Sequence, residues 1–138
     1  MPPLFTLKKN ERLCRKKLIA ELFPKGKSFM SFPLRVQYLM VPRQDEAAAQ
    51  LLISVPKKRF KRAVKRNLLK RRIRESYRLH KHQLYASVPS HQTLLIAYIY
   101  TDNKIHDFRT IEKAVEKSIN KLVKMNFSHT SEPNSEQE

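Results

Sequence analysis

The segment 57–82 holds thirteen Lys and Arg side chains and a single acid, Glu75, so this stretch alone has a formal charge of +12. Large apolar residues recur in and just after it at the spacing of one helical face. Those residues are Leu69, Ile73, Tyr77 and Leu84. A long helix is therefore predicted from Phe60 to about Leu84, with one face in a core and a basic face in solvent.

The basic face of this helix is one stripe within an arc of about 100°. Its residues are Asn67, Lys70, Arg71, Arg74 and Arg78. Like charges four residues apart, such as Lys70 and Arg74, destabilise a helix by roughly 0.2–0.5 kcal/mol per pair, and no acid lies on the stripe. A charge run is ordinarily a solvated helix face, but unrelieved repulsion and guanidinium groups suited to phosphate favour a polyanion partner.

Composition narrows the class of protein. The chain has 138 residues, which suggests one domain, and its 29 basic and 12 acidic residues give a net charge of +17. The single Cys14 excludes an intramolecular disulfide framework and favours a cytoplasmic location. The single Gly26 excludes a glycine-rich phosphate loop. No apolar run approaches the length of a membrane span, so no membrane partner is predicted.

Hydrophobic spacing predicts the remaining elements. They are a helix over Asn10–Phe23 stopped by Pro24, strands over Leu34–Val41, Leu51–Val55 and Leu94–Tyr100, a helix capped by Asp107, and an acidic disordered tail. This order fits a small sheet covered on one side by helices, in the α+β class. The domain is predicted to span residues 1–127 and the tail residues 128–138.

The residues around the basic helix resemble a known family. Ser54-Val55-Pro56-Lys57-Lys58 precedes a helix whose residues Arg66, Asn67, Lys70, Arg71, Arg74 and Glu75 stand in a fixed pattern. This arrangement is similar to the signature of the bacterial ribonuclease P protein component, and the resemblance covers roughly residues 6–125. Many members have a glycine where this chain has Lys61, a difference confined to the loop before the helix.

The resemblance implies a fold and an activity. The fold is ribosomal-protein-like, a roughly four-stranded sheet with three helices and a left-handed βαβ crossover through the basic helix. The activity is removal of the 5′ leader from precursor tRNA, in which the RNA subunit is the catalyst. Mg²⁺ acts through the RNA subunit and the substrate, and no cofactor is held by the protein. The partners implied are ribonuclease P RNA and the leader, with no obligatory protein partner.

Two groups of site residues follow from the resemblance. The group expected to bind the RNA subunit is Lys57, Lys58, Arg62, Lys65, Arg66, Asn67, Lys70, Arg71, Arg74 and Arg78. The group expected to line the leader cleft is Phe23, Arg35, Gln37 and Tyr38. Arg66 falls near the apolar arc of the helix, which predicts a packed stem or a differently oriented first turn. No catalytic or metal-binding side chain is nominated.

Three alternatives remain open at this point. A ribosomal protein, or another structural rRNA-binding protein, would share the basic helix without a leader cleft. A DNA-binding regulator is disfavoured because the chain lacks a short helix-turn-helix spacing and base-facing amides. A protein of anionic membrane surfaces would need apolar residues free of a core opposite the basic stripe.

Overall fold

The computed structural model describes residues 7–44 and 46–130, with side chains as far as residue 125. Three α-helices and four strands within these residues confirm the predicted α+β class. The elements are a 3₁₀ helix Lys9–Glu11, α1 Lys16–Lys25, β1 Lys27–Ser31, β2 Leu34–Pro42, β3 Ala49–Ser54, α2 Ala63–Ser87, β4 Gln92–Tyr100 and α3 Phe108–Thr130. Residues 131–138 of the predicted acidic tail lie outside the described residues.

The strands form one mixed sheet in the order β1-β2-β4-β3. β2 pairs antiparallel with β1 and β4, whereas β3 pairs parallel with β4. Parallel neighbours need a crossover, and α2 supplies it between β3 and β4. The three strands predicted from apolar spacing are confirmed to within two residues at each end. The fourth strand, β1, is a mostly exposed edge with little apolar alternation. The left-handed sense of the crossover stays a prediction.

Helices cover both faces of the sheet. On one face Ile96 and Tyr98 belong to the main core beneath α2 and α3. On the other face Leu95 and Ala97 pack in a smaller cluster with Leu22 of α1. The prediction that helices cover one side only is therefore wrong. The cause is β4, which is apolar on both faces, so each face needs a cover.

The first helix begins later than its apolar spacing predicts. α1 starts at Lys16 instead of Asn10, and the preceding residues run beside the edge strand β3, where the Leu13 amide donates to the Leu51 carbonyl at 2.9 Å. Leu13 therefore packs from an extended segment, not from the helix. Pro24 lies in the last turn of α1 and does not stop the helix before it. A proline there removes a single helical hydrogen bond, which the packed helix tolerates.

Gly26 lies where the end of α1 meets β2. A Cβ atom at this position would come within 2.3 Å of the Leu22 carbonyl oxygen and within 2.8 Å of the Tyr38 carbonyl oxygen. Both neighbours are backbone atoms, so neither can rotate away. Only glycine permits this approach, and the approach sets how closely α1 lies against β2.

A buried ion pair ties the 3₁₀ helix to α2. Glu11 is 6% exposed and Lys81 is 2% exposed, and the Lys81 ammonium donates to Glu11 Oε1 at 2.5 Å. The Tyr85 hydroxyl donates to the same oxygen at 2.7 Å, and the Tyr77 hydroxyl donates to that of Tyr85 at 3.2 Å. Since each buried charge has its partner, the network holds the N-terminal segment against α2.

The two long helices start close to their predicted positions. α2 begins at Ala63, three residues after the predicted start at Phe60. The predicted cap of α3 is confirmed, because the Thr110 amide donates to Asp107 Oδ1 at 2.9 Å. Hydrogen bonds from the Thr110 side chain and amide lower the pKa of the Asp107 carboxyl.

Candidate nucleic-acid interface

The two predicted faces of α2 are confirmed. The apolar residues Leu69, Ile73, Tyr77 and Leu84 are fully buried. On the opposite side Asn67, Arg71 and Arg74 are exposed, and Lys70 and Arg78 are half-buried. The basic stripe is therefore aligned along the helix and directed away from the core.

One cation of the stripe has an acidic partner. Arg78 donates from Nη2 to Glu75 Oε2 at 2.5 Å and from Nε to Glu75 Oε1 at 3.3 Å. Hydrogen bonding to Glu75 raises the pKa of Arg78. The prediction that no acid relieves the stripe is wrong at this end, because the carboxylate three residues away reaches across one turn. Lys70, Arg71 and Arg74 make no ion pair within the described residues.

Arg66 braces the loop that leads into α2. Its Nη1 atom donates to the carbonyl oxygens of Phe60 and Lys61, each at 2.8 Å. Arg66 is half-buried in the first turn of α2, an early position as the second of the two predicted alternatives requires. Through its bonds Arg66 shapes the loop that carries the exposed Arg62, and the exposed Lys65 follows in the first turn of α2.

The loop before α2 forms one wall of a basic groove of about 550 Å³. Lys61 and Arg62 of the loop line this wall together with Lys65 from the first turn of α2, and Lys104, after β4, lines the groove as well. Arg59 Nη1 donates to Asn103 Oδ1 at 3.0 Å and so joins the loop to the segment after β4. The exposed Lys57 and Lys58 lie in the same loop. Sequence reasoning missed Lys104, because only the fold brings it beside the basic segment.

Two cations of the segment 57–82 are not part of the stripe and bond to other parts of the fold. Lys81 is the buried partner of Glu11, and Arg72 Nη1 donates to the His106 carbonyl oxygen at 2.6 Å. The burial of Lys81 had a signal in the sequence. Lys81 stands four residues after Tyr77 and three before Leu84, which places it on the apolar arc of the helix.

Three of the four residues predicted for the leader cleft share one surface. Phe23 is 42% exposed at the end of α1, and Arg35 is exposed on β2. Gln37 is buried between these elements, where its Nε2 atom donates to the Phe23 carbonyl oxygen at 3.3 Å. We call the surface formed by Phe23, Arg35 and Gln37 the α1–β2 surface. Its floor includes Ile99, which pairs with Arg35 and which sequence reasoning missed.

Tyr38 does not belong to the α1–β2 surface. Its hydroxyl contacts Met125 Sδ at 3.3 Å, and its ring lies 5.8 Å from that of Phe29, on the side of the sheet that packs against α3. Grouping it with Arg35 and Gln37 is therefore wrong. Successive residues of a strand point to opposite faces, so the residue after Gln37 turns away from α1.

A second basic surface surrounds the start of α1. It consists of exposed side chains only, and we call it the N-terminal basic surface: Lys8, Lys9, Arg12, Arg15, Lys16 and Lys17. The acid in this stretch, Glu11, is buried against Lys81, so residues 8–17 have no exposed acid. This surface was not predicted, because the sequence shows how many cations the N-terminal segment contains but not that they lie on one surface.

The described residues contain no group of three or more His, Cys, Asp or Glu side chains that could hold a metal ion. The closest approaches are pairs, with His80 Nε2 at 3.0 Å from Glu112 Oε2 and His106 Nε2 at 2.6 Å from Asp102 Oδ2. The hydrogen bond to His106 lowers the pKa of the Asp102 carboxyl. None of the helices in the described part of the chain has the length and apolar character to cross a bilayer.

Comparison with known proteins decides between the alternatives. The sequence profile of the family described as Ribonuclease P matches residues 7–123 of this chain. The chain belongs to the ribonuclease P protein family. The ribonuclease P protein component of Porphyromonas gingivalis strain W83 is 44% identical over 119 residues, which cover 86% of this chain and 87% of that protein.

Solved ribonuclease P proteins share the fold. A mutant RNase P protein of Staphylococcus aureus superposes with a TM-score of 0.64 at 24% identity, covering 84% of this chain and 90% of that one. The RNase P protein of Thermotoga maritima gives a TM-score of 0.61 at 24% identity, covering 80% and 96% of the two chains. The matched profile includes the pattern from Arg66 to Glu75, so the resemblance noted from those residues is confirmed.

Membership of the ribonuclease P family assigns the chain its class of function. It is a protein subunit of the endoribonuclease ribonuclease P, acts in tRNA processing and associates with ribonuclease P RNA. This assignment replaces the ribosomal-protein, DNA-binding and membrane-binding alternatives.

Proposed function

We propose that the stripe on α2 and the loop before it bind the RNA subunit, while the α1–β2 surface holds the single-stranded 5′ leader of precursor tRNA. The residues proposed for the RNA subunit are Lys57, Lys58, Arg62, Lys65, Arg66, Asn67, Lys70, Arg71, Arg74 and Arg78. The observation that carries the proposal is the outward alignment of Lys70, Arg71 and Arg74 on a helix whose opposite face is fully buried.

The stripe is suited to phosphate contacts on a folded RNA. Repulsion among three neighbouring cations costs the free protein stability, and a line of phosphates removes that cost when it binds. Contacts of this kind position a partner without reading its sequence. Arg66 contributes indirectly as well, because its bonds to the Phe60 and Lys61 carbonyl oxygens set the loop that presents Arg62 at the start of α2.

The α1–β2 surface is suited to a single strand. The exposed ring of Phe23 offers a plane on which a base can stack, and the exposed Arg35 offers a charge for the backbone. Gln37 supports this arrangement from below by holding the last turn of α1 against β2. Tyr38 faces the other side of the sheet and has no part in it.

In this proposal the protein binds and positions, and hydrolysis belongs to the RNA subunit. Mg²⁺ acts through the RNA subunit and the substrate, and no side chain of this chain is assigned a catalytic role. We place the reaction in the cytoplasm, where bacterial precursor tRNA is made.

Reconstitution tests the proposal. The purified chain, mixed with its RNA subunit and low-millimolar Mg²⁺, should cleave precursor tRNA at the mature 5′ end faster than the RNA subunit alone. The chain without RNA should cleave nothing. Gel analysis of end-labelled precursor checks both expectations. Cleavage by the protein alone, or a mixture no faster than the RNA subunit alone, would contradict the proposal.

Phe23→Ala tests the leader surface. In the assembled holoenzyme it should weaken binding of precursor tRNA by about 1–3 kcal/mol, the contribution of one stacked base, and leave binding of leaderless mature tRNA unchanged. Phe32→Ala is the matched control, since Phe32 is 63% exposed but lies in the turn between β1 and β2. Equal losses in the two variants, or a loss that persists without a leader, would exclude Phe23 from leader binding.

A further inference from the structure

A groove of about 460 Å³ lies between β1 and α3. The four consecutive residues 29–32 line it, together with Lys113, Lys117 and Lys121 of α3. Successive side chains of a strand point to opposite faces of the sheet. A groove that contacts every residue from 29 to 32 therefore follows the edge of the strand, beside its main chain.

The edge of β1 is open to a further strand. β1 pairs with β2 alone, and an antiparallel pair uses the main-chain groups of alternate residues, so those between them point out from the edge of the sheet. At the opposite edge, the Leu13 amide donates to the Leu51 carbonyl oxygen of β3. In the described part of the chain, β1 receives no main-chain bond of this kind from a neighbouring segment.

α3 runs alongside this edge. The Ser31 hydroxyl donates to the Ala114 carbonyl oxygen at 2.7 Å, and the Lys121 ammonium lies 4.4 Å from the centre of the Phe29 ring. The helix thus advances from residue 114 to residue 121 while the strand goes back from residue 31 to residue 29. These contacts also place Phe29 and Ser31 on the α3 side of the strand, so Met30 faces the other side.

The lysines of the groove form one row, which we call the α3 lysine row: Lys113, Lys117 and Lys121. They stand four residues apart, so neighbours lie on one face of the helix, about 6 Å apart along its axis. All three are exposed, and none makes an ion pair within the described residues. No acid lines the groove beside them. The charged side chains of the groove are therefore all cationic.

The groove is separate from the surfaces proposed for RNA. α2 packs against another flank of α3, where Glu112 Oε2 lies 3.0 Å from His80 Nε2, whereas the groove opens on the β1 side. Phe23 and Arg35 of the α1–β2 surface lie on the opposite face of the sheet. The ligand of the groove can therefore differ in chemistry from the ligands of those surfaces.

Lysines near a strand edge can serve only to prevent pairing between copies of a protein. Here Met30 and Phe32, which are 56% and 63% exposed, lie at the same edge. Exposed large apolar residues at an open edge favour pairing. A lysine row that repels a second copy of this basic chain and attracts an acidic strand accounts for both features.

We propose that the edge of β1 binds an extended segment of an acidic partner protein as an added strand, in which acidic and apolar residues alternate. Main-chain bonds to an open edge are a general way of binding an extended peptide. Alternate side chains of a strand are about 6.6 Å apart, close to the spacing of the α3 lysine row. The acidic side chains therefore face that row, and the apolar side chains lie beside Met30 on the other side of the strand.

The test uses a short fluorescein-labelled peptide in which glutamate and valine alternate. Its binding to the full chain at physiological salt is followed by fluorescence anisotropy, and a peptide of the same composition with its glutamates in one block is the reference. The alternating peptide should bind about tenfold more tightly, the effect of one or two main-chain hydrogen bonds. Equal binding of the two peptides would overturn the proposal, because charge alone would then account for the affinity.

Methylation of the peptide main chain tests strand addition directly. A methyl group on every second amide nitrogen removes the donors from one edge of the peptide and leaves those of the other edge. The isomer methylated on the edge that faces β1 should lose binding, and the other isomer should keep it, although the two have the same charge. Equal affinities of the two isomers would contradict the addition of a strand.

Lys117→Gln tests the α3 lysine row. It should weaken binding of the alternating peptide about twofold to fivefold, the effect of one exposed ion pair. Lys16→Gln, which removes an exposed charge from α1 on the opposite face of the sheet, should leave the affinity unchanged. Equal losses in the two variants would show that the peptide responds to net charge and does not bind in this groove.

Two further results would assign the groove to another occupant and overturn the proposal. Oligouridylate should bind elsewhere on the chain, so its affinity should not change in Lys117→Gln; a loss as large as that of the peptide would indicate a site for RNA. Peptide binding that appears only after Glu132, Glu136 and Glu138 are changed to Gln would indicate that the acidic C-terminal segment of this chain occupies the groove. Neither result depends on the RNA subunit or on cleavage, so the proposal can fail while the proposed function holds.

Discussion

A chain carrying Arg71→Ala and Arg74→Ala should bind the ribonuclease P RNA with a log–log salt slope about 1.4–1.8 smaller than the wild-type slope. Each phosphate contact contributes roughly 0.7–0.9 to that slope through counterion release, and the double variant removes two. Both side chains are exposed and make no ion pair within the described residues, so their loss leaves the buried face of α2 intact. Filter binding over a series of salt concentrations measures the slope.

The matched control for this variant removes two charges from another helix. Lys113→Ala with Lys117→Ala takes two exposed lysines from α3 and changes the net charge equally. Its slope should equal that of the wild-type chain, because α3 is not part of the proposed interface. If both double variants reduce the log–log salt slope by the same amount, RNA binding depends on net charge alone and the stripe has no special role.

The stripe could be predicted from sequence because it depends on one element. A helix fixes the direction of every side chain once its start and period are known, and Leu69, Ile73 and Tyr77 set that period unambiguously. The pattern around Asn67 and Glu75 then identified the family, which no argument from charge could do. The cap at Asp107 was predictable for the same local reason.

The α1–β2 surface was only partly predictable because it depends on two elements meeting. Phe23 and Gln37 lie fourteen residues apart in sequence, and the hydrogen bond between them forms where the end of α1 approaches β2 closely at Gly26. The misplacement of Tyr38 was avoidable, since strand alternation separates it from Gln37. That α1 covers the second face of the sheet was also implicit in the apolar sequence of β4.

The total charge of a segment does not give its surface charge where a charged side chain is buried. Glu11 and Lys81 are seventy residues apart, and no local pattern indicates that they pair. Their pairing removes one acid from the N-terminal segment and one cation from the basic segment. As a result the N-terminal basic surface is more positive than the total charge of its segment suggests, and the segment 57–82 presents one charge fewer to solvent than its total of +12 suggests.

The largest loss of stability is expected from Glu11→Gln. This substitution keeps the shape of the side chain and an acceptor for Tyr85, but it leaves the Lys81 ammonium buried without its counter-charge. Removing one partner of a buried ion pair lowers the free energy of unfolding by about 3–5 kcal/mol, which is a large share of the stability of a small domain. Urea unfolding at neutral pH, followed by circular dichroism, measures the difference.

Two controls show whether the loss comes from the unpaired charge. Glu11→Gln combined with Lys81→Met removes both charges and should recover much of the lost free energy of unfolding. Glu46→Gln, at an exposed site, should change it by no more than about 0.5 kcal/mol. If the double variant is as unstable as Glu11→Gln alone, the loss would reflect packing and not the charge.

The same pair makes stability depend on pH. Burial raises the pKa of the Glu11 carboxyl, but hydrogen bonds from Lys81 and Tyr85 outweigh it and hold the pKa below its ordinary value of 4.5. A carboxyl with a lowered folded-state pKa stabilises the fold fully above that ordinary value, and the stabilisation is lost as the pH falls through the folded-state pKa. Below pH 4.5 the wild-type chain should therefore lose free energy of unfolding more steeply than Glu11→Gln, in which this position cannot titrate. Parallel acid dependence in the two proteins would show that other carboxyls govern acid unfolding.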